Sequence, residues 1–311
     1  MVKKKRNLIT GGAGFLGSHL AKRLIKENEE VICLDNFFSG TKKNLKELIN
    51  HQSFKIIKHD ITEPIKIEVD NIWHLACPAS PIYYQLNPIK TTKTIFLGTY
   101  NMLGLAKRVD AKFLLASTSE VYGDPEENPQ EESYKGSVNT VGIRSCYDEG
   151  KRIAETLSAD YHRVHGVDVK IVRIFNTYGP NMRFDDGRVI SNFIVQALEN
   201  KKLTLYGDGS QSRSFCYVDD LIDGMINLMQ SNYNNPVNIG NPNELSIKEL
   251  ANLVRNLINP KLEFEYKKLP EDDPIQRSPS IQLAQDILSW EPKIQLKEGL
   301  IKTIDWFKSN L

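Results

Sequence analysis

The chain lacks any close pair of cysteines. Its four, Cys33, Cys77, Cys146 and Cys216, stand far apart, with no Cys-x-x-Cys and no histidine pattern beside them. That spacing excludes a zinc ribbon or finger and a disulfide framework, so no metal is expected. Single cysteines on apolar segments read as reduced core residues in a reducing compartment. An excess of one charge is missing too: 40 Lys and Arg stand against 39 Asp and Glu, leaving a net charge of +1. Proteins that grip nucleic acid or an acidic membrane as their main task carry more, so neither partner is expected. The run Lys3, Lys4, Lys5 reads as a solvated terminus. No apolar run approaches transmembrane length, and an apolar strand beginning at about Arg6 leaves no stretch for a signal peptide. A soluble cytoplasmic protein is expected.

What is present is ordinary for a globular chain of 311 residues, 40% hydrophobic and 25% charged. That length accommodates a main domain with a smaller companion. The runs "RNLIT", "EVICLD", "FKIIKHD", "NIWHLA", "KFLLAST" and "VKIVRIF" are continuously apolar rather than alternating. Strands of a parallel sheet covered on both faces have this pattern. "SHLAKRLIKE" and "GTYNMLGLAKRV" have helical spacing and serve as crossovers. After about residue 178 the rhythm changes: a turn-rich "YGPNMRFDDG", a helix "VISNFIVQALEN", and short strands "LTLYG" and "RSFCYV". "PVNIG" and the last helix, "EGLIKTIDWF", are grouped with this second region. The reading is an α/β chain: a doubly wound parallel sheet over residues 1–178, and a smaller mixed α/β C-terminal region over 179–311. Segments around 213–240 are expected to return to the first domain. A cleft between the two is the natural ligand site.

"ITGGAGFLGSHL" places Gly11, Gly14 and Gly17 between the first strand and its helix. Glycine there permits a tight turn and close backbone approach to a pyrophosphate, while the helix N-terminus offers amide donors. This makes the sheet Rossmann-type and the ligand a dinucleotide. Asp35 ends the second strand, where a carboxylate accepts hydrogen bonds from the adenosine ribose and repels a 2′-phosphate. No Arg follows in "DNFFSG", so NAD is expected over NADP. Asp60, in "KHDI", either meets the adenine edge or holds a strand-end turn. Phe15, Leu16, Asn36, Phe37, Gly40, Ile61 and Leu75 are expected to complete the cofactor site.

"CYDEGK" sets Tyr147 four residues before Lys151, on one face of a helix. A free phenol titrates near 10; a nearby ammonium lowers that value and makes a usable base. "FLLASTSEVYGD" delivers Thr118, Ser119 and Glu120 together at the end of a core strand. Tyr-x-x-x-Lys alone is common by chance, but not together with the glycine loop and the strand-end hydroxyl.

The glycine loop, Thr118 and Tyr147-x-x-x-Lys151 resemble the extended short-chain dehydrogenase/reductase superfamily, whose members modify nucleotide sugars. More specifically, "HLACPASPIYYQLNPIKT", "LLASTSEVYGDP", "CYDEGKRIAE", "RIFNTYGPNM", "DGRVISNFI", "YGDGSQSRSFCYV" and "DDPIQRSPS" resemble the UDP-glucuronic acid decarboxylase (UDP-xylose synthase) family, over essentially the whole chain. Animal and plant members often carry an N-terminal membrane anchor; this sequence is similar to the soluble forms.

The resemblance implies oxidation of UDP-glucuronate at C4 by a retained NAD, loss of CO2 from the resulting β-keto acid, and re-reduction to UDP-xylose. It makes Tyr147 the acid–base group and Lys151 its partner, with Thr118 on the C4 oxygen and Ser119 and Glu120 at the C5–C6 end. The related 4,6-dehydratases commonly have Asp-Glu where this chain has Ser119-Glu120, which disfavours elimination of water. Arg277 would reach the sugar and its phosphates from the second region. Asn176, Asn192, Tyr206 and Arg213 would line the UDP, and Lys93 and Asn101 the sugar. Members usually form homodimers through two long helices. Three alternatives stay open: a UDP-sugar 4-epimerase, a decarboxylase that releases UDP-4-ketopentose and NADH, and a nucleotide-sugar-binding scaffold without activity.

Overall fold

The computed structural model describes residues 4–268 and 276–311. Lys3 and residues 272–275 of "DDPIQRSPS" therefore lie outside the described residues. The first half supplies strands β1 (Arg6–Thr10), β2 (Glu30–Asp35), β3 (Phe54–Lys58), β4 (Asn71–His74), β5 (Lys112–Thr118) and β6 (Val169–Ile174). Helices α1 (Phe15–Lys26), α2 (Pro81–Leu86), α3 (Pro88–Val109) and α4 (Ser145–His165) run between them. Then follow β7 (Thr177–Tyr178), α5 (Val189–Leu198), β8 (Leu203–Tyr206), β9 (Ser212–Ser214), β10 (Cys216–Tyr217), α6 (Val218–Gln230) and β11 (Pro236–Ile239). The chain closes with β12 (Glu244–Ser246), α7 (Ile247–Ile258), β13 (Phe264–Lys267), β14 (Gln276–Arg277), α8 (Gln282–Leu288) and α9 (Leu296–Asn310).

Among the described residues, seven strands form one parallel sheet in the order β11-β6-β5-β4-β1-β2-β3. Successive residues of each strand go to opposite faces, and both faces are covered. Ile9, Cys33, Trp73, Leu114 and Val172 face one core, shared with α1, α5 and α6. Their neighbours Leu8, Ile32, Ile72, Phe113 and Ile171 face the other, shared with α3 and α4. This two-sided burial is why the strands read as unbroken apolar runs.

"PVNIG" takes the second of its two expected placements, not with the smaller region but among the segments around 213–240 that return to the first domain. Its residues form β11 and pair in parallel with β6, Val237 opposite Val172. The reason is burial: Val237 and Ile239 are fully covered, and the edge of β6 offers them both a ladder and a core. Beyond the main sheet, β9 pairs with β12 and β14, and β8 with β13. This smaller layer reaches the carboxyl end of β5 through Arg277, which is the register partner of Arg213 and contacts Glu120 and Gly123 just beyond that strand. The strand order turns back on either side of β1, and the crevice outside that point is where doubly wound sheets take ligands. Among the described residues, no helix is long and apolar enough to cross a membrane.

Candidate active site

One cavity of about 830 Å³ fills that crevice. Its floor is the loop after β1. The Gly14 N–H donates to the Gly11 carbonyl at 3.0 Å, and α1 starts at the next residue. A Cβ on Gly17 would stand 2.3 Å from the Gly11 oxygen, so only glycine lets the helix close onto the turn. The Asp35 carboxylate, at the end of β2, accepts from the Ala13 N–H at 2.9 Å and the Phe37 N–H at 2.7 Å. Burial raises its pKa, and these two bonds oppose the rise. A glycine cradle opening a helix, with a carboxylate at the next strand end, fits the pyrophosphate and ribose of NAD.

The far wall carries the strand-end triplet. Thr118 ends β5, and its Oγ1 accepts the Glu120 N–H at 3.3 Å, turning the chain into a single 3₁₀ turn, Ser119–Tyr122. Gly123 closes that turn at φ +66°, where a Cβ would lie 1.8 Å from the Ser137 oxygen. The turn leaves Glu120 pointing between two arginines. One of its oxygens accepts from Arg144 Nη2 at 2.6 Å, the other from Arg277 Nη1. Arg277 Nη2 also donates to the Gly123 carbonyl at 3.2 Å. Burial pushes the Glu120 carboxyl up, but Arg277 and Arg144 outweigh it and hold the pKa at about 2. Asp148, four residues along α4 from Arg144, goes the other way: burial and the Glu120 charge lift it to about 7.

Tyr147 and Lys151 project from α4 onto the same cavity. Lys151 Nζ donates to the Ala116 carbonyl at 2.7 Å and stands 5.9 Å from the Tyr147 ring centroid. The expected lowering of the Tyr147 pKa is not what the resting geometry gives. Burial raises it well above 10, Cys77 adds to the rise, and the hydrogen bond with Thr118 opposes it. Burial likewise lowers Lys151. Tyr84 of α2 stacks on Tyr147, 5.0 Å between centroids and 9° between planes, and covers one face of its ring.

Most of the residues singled out from the sequence border this cavity. They are Gly11, Gly14, Phe15, Leu16, Gly17, Asp35, Asn36, Gly40, Ile61 and Leu75 on one side, and Thr118, Ser119, Glu120, Tyr147 and Lys151 on the other. Asn176, Asn192, Tyr206, Arg213 and Arg277 border it from the second half of the chain. Four residues lie off it. Phe37 turns its ring into the main core and leaves Phe38 on the wall. Asp60 is consumed by the turn alternative: its carboxylate accepts from Thr62 N–H and Oγ1 at 3.0 and 2.8 Å and from Lys90 Nζ at 2.8 Å. Lys93 is exposed on the outer side of α3, and Asn101 donates to the Ile61 carbonyl at 2.9 Å. The cavity-facing residues of α3 are instead Lys90, Thr91 and Thr94. No group of His, Cys, Asp and Glu among the described residues is placed to hold a metal ion.

Residues 7–240 match the family described as "NAD dependent epimerase/dehydratase family". UDP-glucuronic acid decarboxylase 3 of Arabidopsis thaliana is 60% identical over 296 residues, 95% of this chain and 86% of that protein. This chain belongs to the UDP-glucuronic acid decarboxylase family. Among solved structures, a UDP-N-acetylglucosamine 4-epimerase from Methanobrevibacter ruminantium superposes with a TM-score of 0.93 at 28% identity, covering 100% of both chains. A UDP-glucuronic acid 4-epimerase from Bacillus cereus, solved with UDP-glucuronic acid and NAD, superposes with 0.89 at 28% identity, covering 98% and 100%.

Three features of this decarboxylase-family site escaped the sequence reading. Arg144 stands in the loop "GIRSC", where a lone arginine reads as solvated. Tyr84 lies inside "SPIYYQL", with nothing local to announce that it stacks on Tyr147. Arg188 opens α5 and pairs with the buried Asp186. In addition, Arg277 Nε and the Tyr84 hydroxyl are buried with no hydrogen-bond partner among the described residues.

Proposed function

We propose that this chain converts UDP-glucuronate to UDP-xylose and CO2 with NAD acting catalytically, and that the residues named above divide the work as follows. The observation that carries the reading is the meeting of Glu120, held ionised between Arg144 and Arg277, with the Tyr147–Lys151 pair on one cavity. Once C4 of the sugar is a ketone, the C6 carboxylate belongs to a β-keto acid and leaves as CO2, and the enolate that remains takes up one proton at C5, drawn in the net reaction from solvent, to give the 4-ketopentose. The chemistry NAD supplies when bound is reversible hydride transfer at that C4.

Tyr147 takes the C4 hydroxyl proton in the first step and returns it in the last. Its burial disfavours the phenolate, so the nearby Lys151 ammonium is needed to make the transfer affordable at neutral pH. Thr118 shares the same oxygen. Ser119 and Glu120 address the C5–C6 end, and Arg277 anchors the sugar from the second half of the chain. The adenosine half of NAD rests on the glycine loop and Asp35. Asn176, Asn192, Tyr206 and Arg213 hold the UDP; an arginine's fork of donors suits a diphosphate. In this reading residues 1–178 bind NAD and 179–311 mainly bind the UDP-sugar. The protein works in the cytoplasm as a homodimer paired through α3 and α4, whose outer faces expose Phe96, Tyr100 and Ile153.

The test is direct. Purified protein with NAD and UDP-glucuronate is expected to release CO2 and UDP-pentose in equal amounts, with no net rise in NADH absorbance. No CO2 under any condition sinks the assignment. UDP-galacturonate as product moves it to a 4-epimerase, and NADH equimolar with CO2 moves it to the ketopentose-releasing variant.

A further inference from the structure

Glu120, Arg144 and Arg277 meet at the carboxylate end of the cavity, and a fourth charged side chain stands behind them. Arg144 lies between two carboxylates, 2.6 Å from Glu120 and 4.0 Å from Asp148. Asp148 does not line the cavity. It follows Tyr147 on α4, is 8% exposed, and its Oδ1 is buried with no hydrogen-bond partner among the described residues. An ionised carboxylate in that position is expensive, and an apolar residue would serve packing alone at least as well. The groups that act on Asp148 come from four elements. Arg144, Cys146, Tyr147 and Glu149 belong to α4 and its start, Glu120 to the turn after β5, Arg277 to β14, and Tyr84 to α2.

We propose that Asp148 is a positioning residue for the carboxylate end of the site, acting through Arg144 on the charge that Glu120, Arg144 and Arg277 present to a substrate carboxylate. The inference rests on the UDP-glucuronate reading above. With Asp148 protonated, the four side chains carry one net positive charge, and Arg144 has one ionised carboxylate, Glu120, among these four. With Asp148 ionised, the cluster is neutral and Arg144 is shared. An arriving C6 carboxylate adds a negative charge to a site poor in water, so the protonated form receives it better. The proton comes from solvent and stays on Asp148. The titration of Asp148 near 7 puts both forms within reach of ordinary pH.

The experiment measures binding rather than turnover, in NAD-loaded full-length protein carrying Tyr147→Phe so that the ligand persists. Calorimetry gives the Kd for UDP-glucuronate and for UDP-glucose, which lacks the carboxylate, between about pH 6 and about pH 8.5. Effects common to both ligands cancel in the ratio. The preference for UDP-glucuronate is expected to fall about tenfold as pH rises, the size of one unit of coupled titration. Adding Asp148→Asn should flatten the ratio, and Asp148→Glu should restore its slope. A ratio that is flat in the parent, or that slopes equally with Asp148→Asn, overturns the proposal. The parent measurement decides even if Asp148→Asn does not fold. CO2 release by the unaltered enzyme tests the underlying reading separately.

Discussion

Glu120 ties the stability of this site to acid pH. Its folded pKa, about 2, lies below the ordinary 4.5 because two guanidiniums outweigh burial. A carboxyl depressed in this way contributes stability that is complete above its unfolded value and is lost as pH falls from about 5 to about 2. Glu120→Gln should therefore unfold less steeply in acid than the parent. Unfolding free energies from urea titrations at about pH 3 and about pH 6 should differ by roughly 1–2 kcal/mol less in the variant. At neutral pH the same change should lower the rate of CO2 release by about a hundredfold, the order of effect of a misplaced site group, because Arg144 and Arg277 lose the carboxylate that holds them. An unchanged acid profile would show that the arginines do not govern this carboxyl. The surroundings of Tyr147 and Glu120 were only half visible in the sequence. Helical spacing of four puts Lys151 beside Tyr147, but Arg144 and Tyr84 reach the site from a loop and another helix. Spacing says which residues share a face; it does not say what covers that face. That is why the proximity of Tyr147 and Lys151 was legible while the sign of the Tyr147 shift was not.

At the scale of elements, continuous apolar runs were a reliable signal because both faces of β1 to β6 are covered. The sequence left β11 two placements, with the smaller region and among the segments around 213–240 returning to the first domain. A four-residue strand with two apolar residues, Val237 and Ile239, looks the same in a small sheet as at the edge of a large one, and its pairing with β6 distinguishes them. The phase of α3 was the harder problem. Each step along a helix rotates the side chain by about 100°, so Lys90 and Lys93 are local equals until a neighbour is placed. In the fold Lys90 reaches the cavity and Lys93 solvent. The outward face of α3 leaves Phe96 and Tyr100 exposed by 40% and 51%. If α3 and α4 form the pairing surface, the double change Phe96→Asp with Tyr100→Asp should convert a dimer to a monomer. Light scattering over a range of concentrations reads that, with circular dichroism unchanged. A dimer that survives both charges places the interface elsewhere.

For the molecule as a whole, the glycine loop, the triplet and the second-half arginines converge on one cavity, so ligands that fill it tie separate parts of the chain together. NAD at about a hundred times its Kd should stabilise by ~2.7 kcal/mol, raising Tm by roughly 4–8 °C. NADP at the same concentration should raise it far less if, as proposed, the Asp35 carboxylate meets the adenosine ribose and repels a 2′-phosphate. Equal shifts with both would remove Asp35 from cofactor choice. The position of β11 has a consequence of a different kind, for a chain still leaving the ribosome. When β6 emerges, the strand that will cover its free edge has not yet been synthesised, and the whole run from β7 through α6 must follow first. Until then β6 presents an unpaired row of backbone donors and acceptors, a template for pairing with the wrong strand. The nascent protein is thus most exposed to misassembly after its dinucleotide cradle has been made and before its sheet can be closed.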